Sequence, residues 1–121
     1  MSAGKRLLVI DDDESIRHFI ELAFGDEGYE VRGAADAHAG LELLDQWPPH
    51  VILLDMRMPG MDGHGFAEQY RSRPAPRAPL VVLTAARDAA ASARQVEADA
   101  WLAKPFDLVE LIEIVARLAG D

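Results

Sequence analysis

Five polar residues interrupt the apolar stretches of this 121-residue sequence, and their types could bind a cation and a phosphoryl group. They are Asp11, Asp12, Asp55, Thr84 and Lys104, and they follow apolar runs of the length of a buried β-strand. Because parallel strands end at the same edge of a sheet, three carboxylates, a hydroxyl and an ammonium would converge there. Carboxylates that converge repel one another, so at neutral pH they must retain a proton or hold a cation.

The chemistry of this residue set favours Mg²⁺, which takes oxygen ligands and typically binds one or two carboxylates, waters and a substrate phosphate. In such a site, one carboxylate can attack a phosphoryl group and form an aspartyl phosphate. Asp55 is the best candidate because the run before it, Val51–Leu54, is apolar on both faces and predicts a central strand. Lys104 can supply a positive charge to one phosphoryl oxygen, and the Thr84 hydroxyl can donate to another.

Each of these residues also has a structural interpretation, because a buried strand often ends in Asp, Thr or Lys where the chain re-enters water. The acidic run 11–13 precedes a predicted helix, where carboxylates cap free amide groups and complement the helix dipole. We predict that capping role for Asp13. The hypothesis of a phosphoryl site therefore depends on the combination of residues.

The elements that would position these side chains are five strand–helix pairs. Apolar runs of strand length alternate with segments whose apolar residues recur every three to four positions, which is typical of a parallel sheet with helices around it. The predicted strands are residues 6–10, Glu30–Gly33, Val51–Leu54, Leu80–Leu83 and Trp101–Ala103. Right-handed crossovers and a change of winding direction would place the first and third strands side by side.

The helices are predicted from their apolar stripes. These comprise Ile16, Phe19, Ile20, Ala23 and Phe24 in the first helix, the segment Ala37–Leu44 in the second, Phe66, Ala67 and Tyr70 in the third, the segment Ala85–Val96 in the fourth, and Leu108, Leu111, Ile112, Val115 and Leu118 in the fifth. The fourth helix is rich in alanine, so we expect it to pack thinly against the sheet.

Composition excludes several classes of function. The formal net charge of -9 argues against direct binding of nucleic acid, which needs clustered Lys and Arg. The sequence has no cysteine, so it can form neither a disulfide nor a thiolate metal site, and its four histidines lack metal-ligand spacing. Its apolar runs are too short for a membrane span or a signal peptide. We expect one cytoplasmic domain over residues 1–121 that does not contact a membrane.

Four segments carry the candidate residues in this order along the chain: VIDDDES, LLDMRMPGMDG, VVLTA and WLAKPF. In combination they resemble the receiver domain of two-component response regulators, over essentially the whole chain. This resemblance implies a CheY-like, flavodoxin-like α/β fold, with a five-stranded parallel sheet of order 2-1-3-4-5 and helices on both faces.

The resemblance also implies roles for the acidic residues. Asp55 matches the phosphoacceptor, and Asp11 and Asp12 match the acidic pair that holds Mg²⁺. Arg57 matches the residue that lends a main-chain carbonyl to the metal. The implied phosphoryl donor is a phosphohistidine on a partner histidine kinase or histidine phosphotransfer protein.

The second half of the site is implied in the same way. Thr84 matches the switch hydroxyl and Lys104 the phosphate-binding lysine, and the bond from Lys104 to Pro105 matches a cis peptide, which is plausible because proline follows. Trp101 matches the switch aromatic, although the family usually has a smaller ring there. Both a switching role and a purely core role for Trp101 therefore stay open.

Three further positions depart from the family pattern or vary within it. Glu97 stands where the family commonly has glycine. Arg57 and Ala86 occupy the two positions that tune how fast the phosphoryl group is lost, and neither offers a carboxylate or carboxamide to orient water. We therefore expect a long-lived phosphoryl state.

The function implied is a phosphorylation-activated switch that accepts a phosphoryl group on Asp55 with Mg²⁺ and changes a surface formed by the fourth helix, fifth strand and fifth helix. Beyond its own phosphorylation and dephosphorylation, it would not be an enzyme. Its partners would be the donor and an unidentified effector protein, with a homodimer as one option. The alternatives are a degenerate receiver that docks constitutively and a small Mg²⁺-dependent phosphohydrolase that forms an aspartyl phosphate.

Overall fold

The chain alternates strand and helix throughout the part that the structure describes. The structure is a computed structural model, which describes residues 4–58, 60–74 and 76–120, with only the backbone of Ala86. The elements are β1 (Arg6–Ile10), α1 (Glu14–Asp26), β2 (Glu30–Ala34), α2 (Ala37–Gln46), β3 (Val51–Asp55), α3 (Gly63–Arg71), β4 (Leu80–Ala85), α4 (Ala86–Gln95), β5 (Ala100–Lys104) and α5 (Leu108–Ala119). Within the described residues, no helix combines the length and the apolar character needed to cross a bilayer.

The five strands form one parallel sheet in the order β2-β1-β3-β4-β5, which confirms the predicted fold class and strand order. Four strands extend further than predicted: β2 by Ala34, and the three after it because the polar residues at their carboxyl ends still take part in the sheet. Asp55 is the last residue of β3, Thr84 lies within β4, and Lys104 ends β5. The register pairs Asp55 with Leu83 and Thr84 with Ala103, so these three polar residues lie near one edge.

The sheet separates two apolar layers, since successive side chains of a strand point to opposite faces. On one face, α1 and α5 cover the sheet, with Ile20, Phe24, Leu111 and Val115 among the buried residues. On the other face, α2, α3 and α4 cover the sheet, and the buried ring of Phe66 lies in this layer. Helices therefore lie on both faces, as predicted.

The first helix differs from its prediction at one position. Ile20 and Phe24 are fully buried, but the side chain of Phe19 is 48% exposed, so its predicted place on the apolar face is wrong. Phe19 precedes Ile20 by one residue, which places it about 100° away around the helix. Asp13 caps this helix as predicted, because its carboxylate accepts from the amides of Ser15 and Ile16.

The fourth helix packs thinly, as its alanine-rich sequence predicts. Its buried residues are small, namely Ala89, Ser92 and Ala93. Its N-cap residue Ala85 makes no side-chain hydrogen bond, whereas α1, α2, α3 and α5 each begin with a capping aspartate. Because small side chains bury little apolar area, α4 is held weakly by packing alone.

The loop between α4 and β5 contains a backbone conformation that favours glycine. Glu97 has a φ of 54°, and its carboxylate lies 3.0 Å from the Arg71 guanidinium. We predict that Glu97→Gly is more stable than Glu97→Ala by about 1 kcal/mol, because both variants lose the ion pair and only glycine relieves the backbone. Urea unfolding of the two variants measures this difference, and equal stabilities would contradict it.

Candidate functional site

Three carboxylates converge at the carboxyl ends of β1 and β3. Asp11, Asp12 and Asp55 each offer one oxygen, and these oxygens lie within 4.8 Å of one another. Asp11 and Asp55 are buried, with 1% and 6% exposure, whereas Asp12 is exposed. The structure thus brings together the three residues that the sequence placed at this edge, and it leaves one of them open to solvent.

Lys104 reaches into this cluster from the end of β5. Its Nζ donates to Oδ2 of Asp11 at 2.7 Å and lies 3.7 Å from Oδ1 of Asp55. The other oxygen of Asp11 accepts from the amide of Asp13 at 2.9 Å. One ammonium therefore contacts two buried carboxylates, which leaves the cluster with a net negative charge.

Burial and the net negative charge of the cluster both affect the ionisation of Asp55. Burial raises the pKa of Asp55 from its ordinary value of 3.8 to about 6, and the neighbouring Asp11 and Asp12 carboxylates add to that increase. Lys104 and the Arg57 amide, which donates to Oδ1 of Asp55 at 3.3 Å, oppose the increase without cancelling it. A further cation beside Asp55 would stabilise its ionised form.

Thr84 lies next to the carboxylates with its hydrogen-bonding capacity unused. The residue is 1% exposed, and its Oγ1 has no hydrogen-bond partner among the residues that the structure describes. An unpaired buried hydroxyl costs about 1–3 kcal/mol, so an acceptor that came within reach would be bound favourably. Thr84 is therefore poised to donate to a group attached near the end of β3.

Arg57 connects the cluster to α4. Its side chain forms an ion pair with Asp88, in the first turn of that helix. Asp88 was missed from the sequence, although an acidic residue four positions after Thr84 and at a helix start was a usable signal. The side chain of Ala86 lies outside the described residues, so the roles of positions 57 and 86 in phosphoryl lifetime stay predictions.

Two other predicted positions are placed clearly. The Trp101 ring on β5 is 45% exposed, so the purely core interpretation of this residue is wrong. Its neighbour Leu102 is buried, as expected for successive residues of a strand. The peptide bond from Lys104 to Pro105 is cis, as the resemblance implied.

A doubly wound sheet with acidic residues and a lysine at its carboxyl edge is the architecture of signalling receiver domains. Residues 7–116 match the family model described as the response regulator receiver domain. The chain belongs to this family, which confirms the resemblance found in the four motifs.

Individual relatives agree with this assignment. The chain is 40% identical over 111 residues to the DNA-binding transcriptional regulator NtrC of Escherichia coli (strain K12), covering 90% of this chain and 24% of NtrC. It is 34% identical over 119 residues to the regulatory protein AtoC of the same organism, covering 97% of this chain and 26% of AtoC. The chain thus spans about a quarter of the length of these regulators.

A solved structure gives the same result for the fold. The receiver domain of the Francisella response regulator 1452 aligns with a TM-score of 0.86 and 30% identity, covering 96% of this chain and 97% of that one. The agreement covers both chains almost completely. The fold is therefore that of a receiver domain.

The residues present fit the Mg²⁺ that is typical of this family. Oxygen donors of Asp11, Asp12 and Asp55 are close enough to share one ion, and these hard ligands suit Mg²⁺. The exposure of Asp12 leaves this side of the cluster accessible from solvent. Burial and, after it, the neighbouring carboxylates raise the pKa of Asp55, and a bound cation would offset both.

Proposed function

We propose that this chain is a phosphorylation-activated switch of a two-component system, with Asp55 as the phosphoacceptor. The observation that carries the proposal is the cluster in which Asp55 is buried beside Asp11, Lys104 and the unpartnered Thr84 hydroxyl. A carboxylate nucleophile, an ammonium and a free donor are the groups that phosphoryl transfer to a side chain requires. The cognate donor would be a histidine kinase or a histidine phosphotransfer protein.

In the transfer step, a carboxylate oxygen of Asp55 forms a bond to phosphorus while the bond from phosphorus to the donor's histidine nitrogen breaks. Asp55 must be ionised to attack, so its pKa of about 6 favours the reaction at neutral pH and slows it in acid. Lys104 would turn from Asp11 to contact a phosphoryl oxygen. Bound Mg²⁺, held by Asp11, Asp12, Asp55 and the main-chain carbonyl of Arg57, would neutralise charge on the transferring oxygens.

Phosphorylation would then change the surface through Thr84. Its hydroxyl has no partner within the described part of the chain, so a phosphoryl oxygen on Asp55 would attract it and move the carboxyl end of β4. The next strand, β5, carries the exposed Trp101, and α4 begins directly after β4. We propose that the surface formed by α4, β5 and α5 binds the effector, and that phosphorylation shifts an existing equilibrium between two conformations.

The effector is a separate question from the switch. NtrC is named as a DNA-binding regulator, and the matched region covers 24% of it. With a formal net charge of -9, this chain is unsuited to bind the phosphate backbone of DNA directly. We propose that any DNA binding resides in a different domain or protein that the switch controls.

The test is the intact mass of the protein after incubation with acetyl phosphate, with and without Mg²⁺. We expect the wild type to gain the mass of one phosphoryl group only when Mg²⁺ is present, and Asp55→Ala to gain none. Asp26→Ala removes an exposed carboxylate from α1 and should behave as the wild type. No gain in folded wild-type protein would contradict the proposal and favour a constitutive docking module.

A further inference from the structure

Two polar contacts join α4 to the segment that follows β3, one at each end of the helix. At its first turn, the Asp88 carboxylate pairs with the Arg57 guanidinium. At its last turn, the Gln95 side-chain oxygen lies 2.6 Å from Nε2 of His64 in α3. Between these contacts lies a groove of about 330 Å³, which Thr84 also lines. Because α4 buries only small side chains, these polar contacts add to the limited packing that holds it.

Arg57 links this helix to the phosphoacceptor directly. Its amide donates to Oδ1 of Asp55 at 3.3 Å, while its side chain pairs with Asp88. The same residue therefore contacts Asp55 with its main chain and α4 with its guanidinium. The Arg57 side chain is long and 71% exposed, and it starts two residues after Asp55, so it has room to turn from Asp88 toward a new negative charge there.

We propose that the Arg57–Asp88 bridge restrains α4 while Asp55 is unphosphorylated, and that a phosphoryl group on Asp55 competes with Asp88 for the guanidinium and releases the helix. A phosphoryl group brings up to about two negative charges and three strong acceptor oxygens. The planar guanidinium binds phosphate with two parallel hydrogen bonds. The release step rests on the proposed function, whereas the restraint exists without phosphorylation.

The exposure of the bridge suits a reversible restraint. The side chains of Arg57 and Asp88 are 71% and 33% exposed, so water screens their attraction. A pair of this kind shifts an equilibrium by about two- to fivefold. A competing phosphoryl group is strong enough to overcome such a restraint.

Hydrogen exchange at the α4 amides of the unphosphorylated protein tests the restraint. We expect Arg57→Gln and Asp88→Asn each to speed exchange by about two- to fivefold. The double variant should exceed neither single variant, because both changes remove the same interaction. Asp45→Asn is the matched control, since it breaks the Arg73–Asp45 ion pair, a contact of 2.6 Å in which α4 has no part, and should leave α4 exchange unchanged.

Asp88 also lies at the amino end of a helix, where a carboxylate is favourable by itself. If that were its whole effect, Arg57→Gln would leave exchange unaltered and the double variant would match Asp88→Asn. That result would overturn the restraint, as would equal α4 exchange in Asp88→Asn and Asp45→Asn.

Repeating the measurement after treatment with acetyl phosphate and Mg²⁺ tests the release. We expect α4 exchange to rise in the wild type and to rise less in Asp88→Asn, which has already lost the bridge. An equal rise in both proteins, or none in a wild type that mass shows to be phosphorylated, would overturn the release and leave the proposed function standing. Failure of the wild type to gain a phosphoryl group would overturn both.

Discussion

Replacement of Lys104 by methionine is expected to destabilise the protein by about 3 kcal/mol at pH 7.5 without divalent metal. The Lys104 ammonium contacts Asp11 at 2.7 Å and Asp55 at 3.7 Å, and both carboxylates are almost fully buried. Removing one partner of a buried ion pair leaves uncompensated charge, which costs more than the pair contributes. Methionine keeps the length and apolar character of the side chain, so the loss of stability would come from the missing charge and not from a change of volume.

The loss of stability in Lys104→Met should depend on pH in a defined direction. Lys104 lowers the pKa of Asp55, so its removal raises that pKa further above the present value of about 6. The folded variant then holds a proton at pH values where the unfolded chain has released it, so its stability falls as pH rises. As pH falls toward the ordinary value of 3.8, the unfolded chain also takes up the proton and this part of the loss shrinks.

Urea unfolding of the variant and the wild type from pH 4 to pH 8 measures this difference. Lys5→Met is the matched control, because Lys5 is the chain's other lysine and lies before β1, outside the acidic cluster. We expect it to change stability by less than about 0.5 kcal/mol. A loss from Lys104→Met of the same size at pH 4 and pH 8 would show that packing is the cause.

The central strands and the convergence of the site were predictable because one physical constraint fixes both. A run such as Val51–Leu54 can be buried on both faces only in the middle of a sheet, and parallel pairing then sets the edge at which the next residue lies. Asp55 follows that run, so its place beside Asp11 required no knowledge of side-chain contacts. Both ends of β1 were predicted, but the carboxyl ends of the other four strands were missed, since an apolar pattern stops before the backbone pairing does.

The remaining features depend on contacts between elements far apart in sequence. The pairing of Arg57 with Asp88 spans 31 positions and joins two long or exposed side chains, which no periodicity reveals. The exposure of Phe19 depends on which neighbours cover α1, and its spacing from Ile16 and Ile20 is compatible with either face. The Trp101 ring could not be placed because β5 is an edge strand of five residues, whose pattern does not show which face is covered.

Asp55→Asn is expected to have the opposite effect to Lys104→Met and to stabilise the protein at neutral pH without metal. The folded state raises the pKa of Asp55 from 3.8 to about 6, so ionised Asp55 is less stable in the folded protein than in the unfolded chain. Since one pKa unit corresponds to about 1.4 kcal/mol, the gain is about 3 kcal/mol above pH 6. Asparagine has the same shape and cannot ionise.

The pH dependence of the stability gain in Asp55→Asn tests its cause separately. As pH falls toward 3.8 the unfolded wild type also takes up the proton, so the gain should shrink; it should grow as pH rises to about 6 and level off above it. Urea unfolding at fixed ionic strength measures the gain, with Asp26→Asn as the exposed control. A gain that was equal at pH 4 and pH 8 would contradict ionisation of Asp55 as its cause.

Divalent metal should narrow the difference in stability between the two proteins. Mg²⁺ held by Asp11, Asp12 and Asp55 would stabilise the folded wild type by mass action, whereas the asparagine variant has lost one carboxylate ligand. We therefore expect added Mg²⁺ to narrow the difference in stability, by more at pH 7.5 than at pH 5, where protons compete for Asp55. A destabilising charge on Asp55 is then a property that the proposed switch needs, because binding of a cation and phosphoryl transfer would both relieve it.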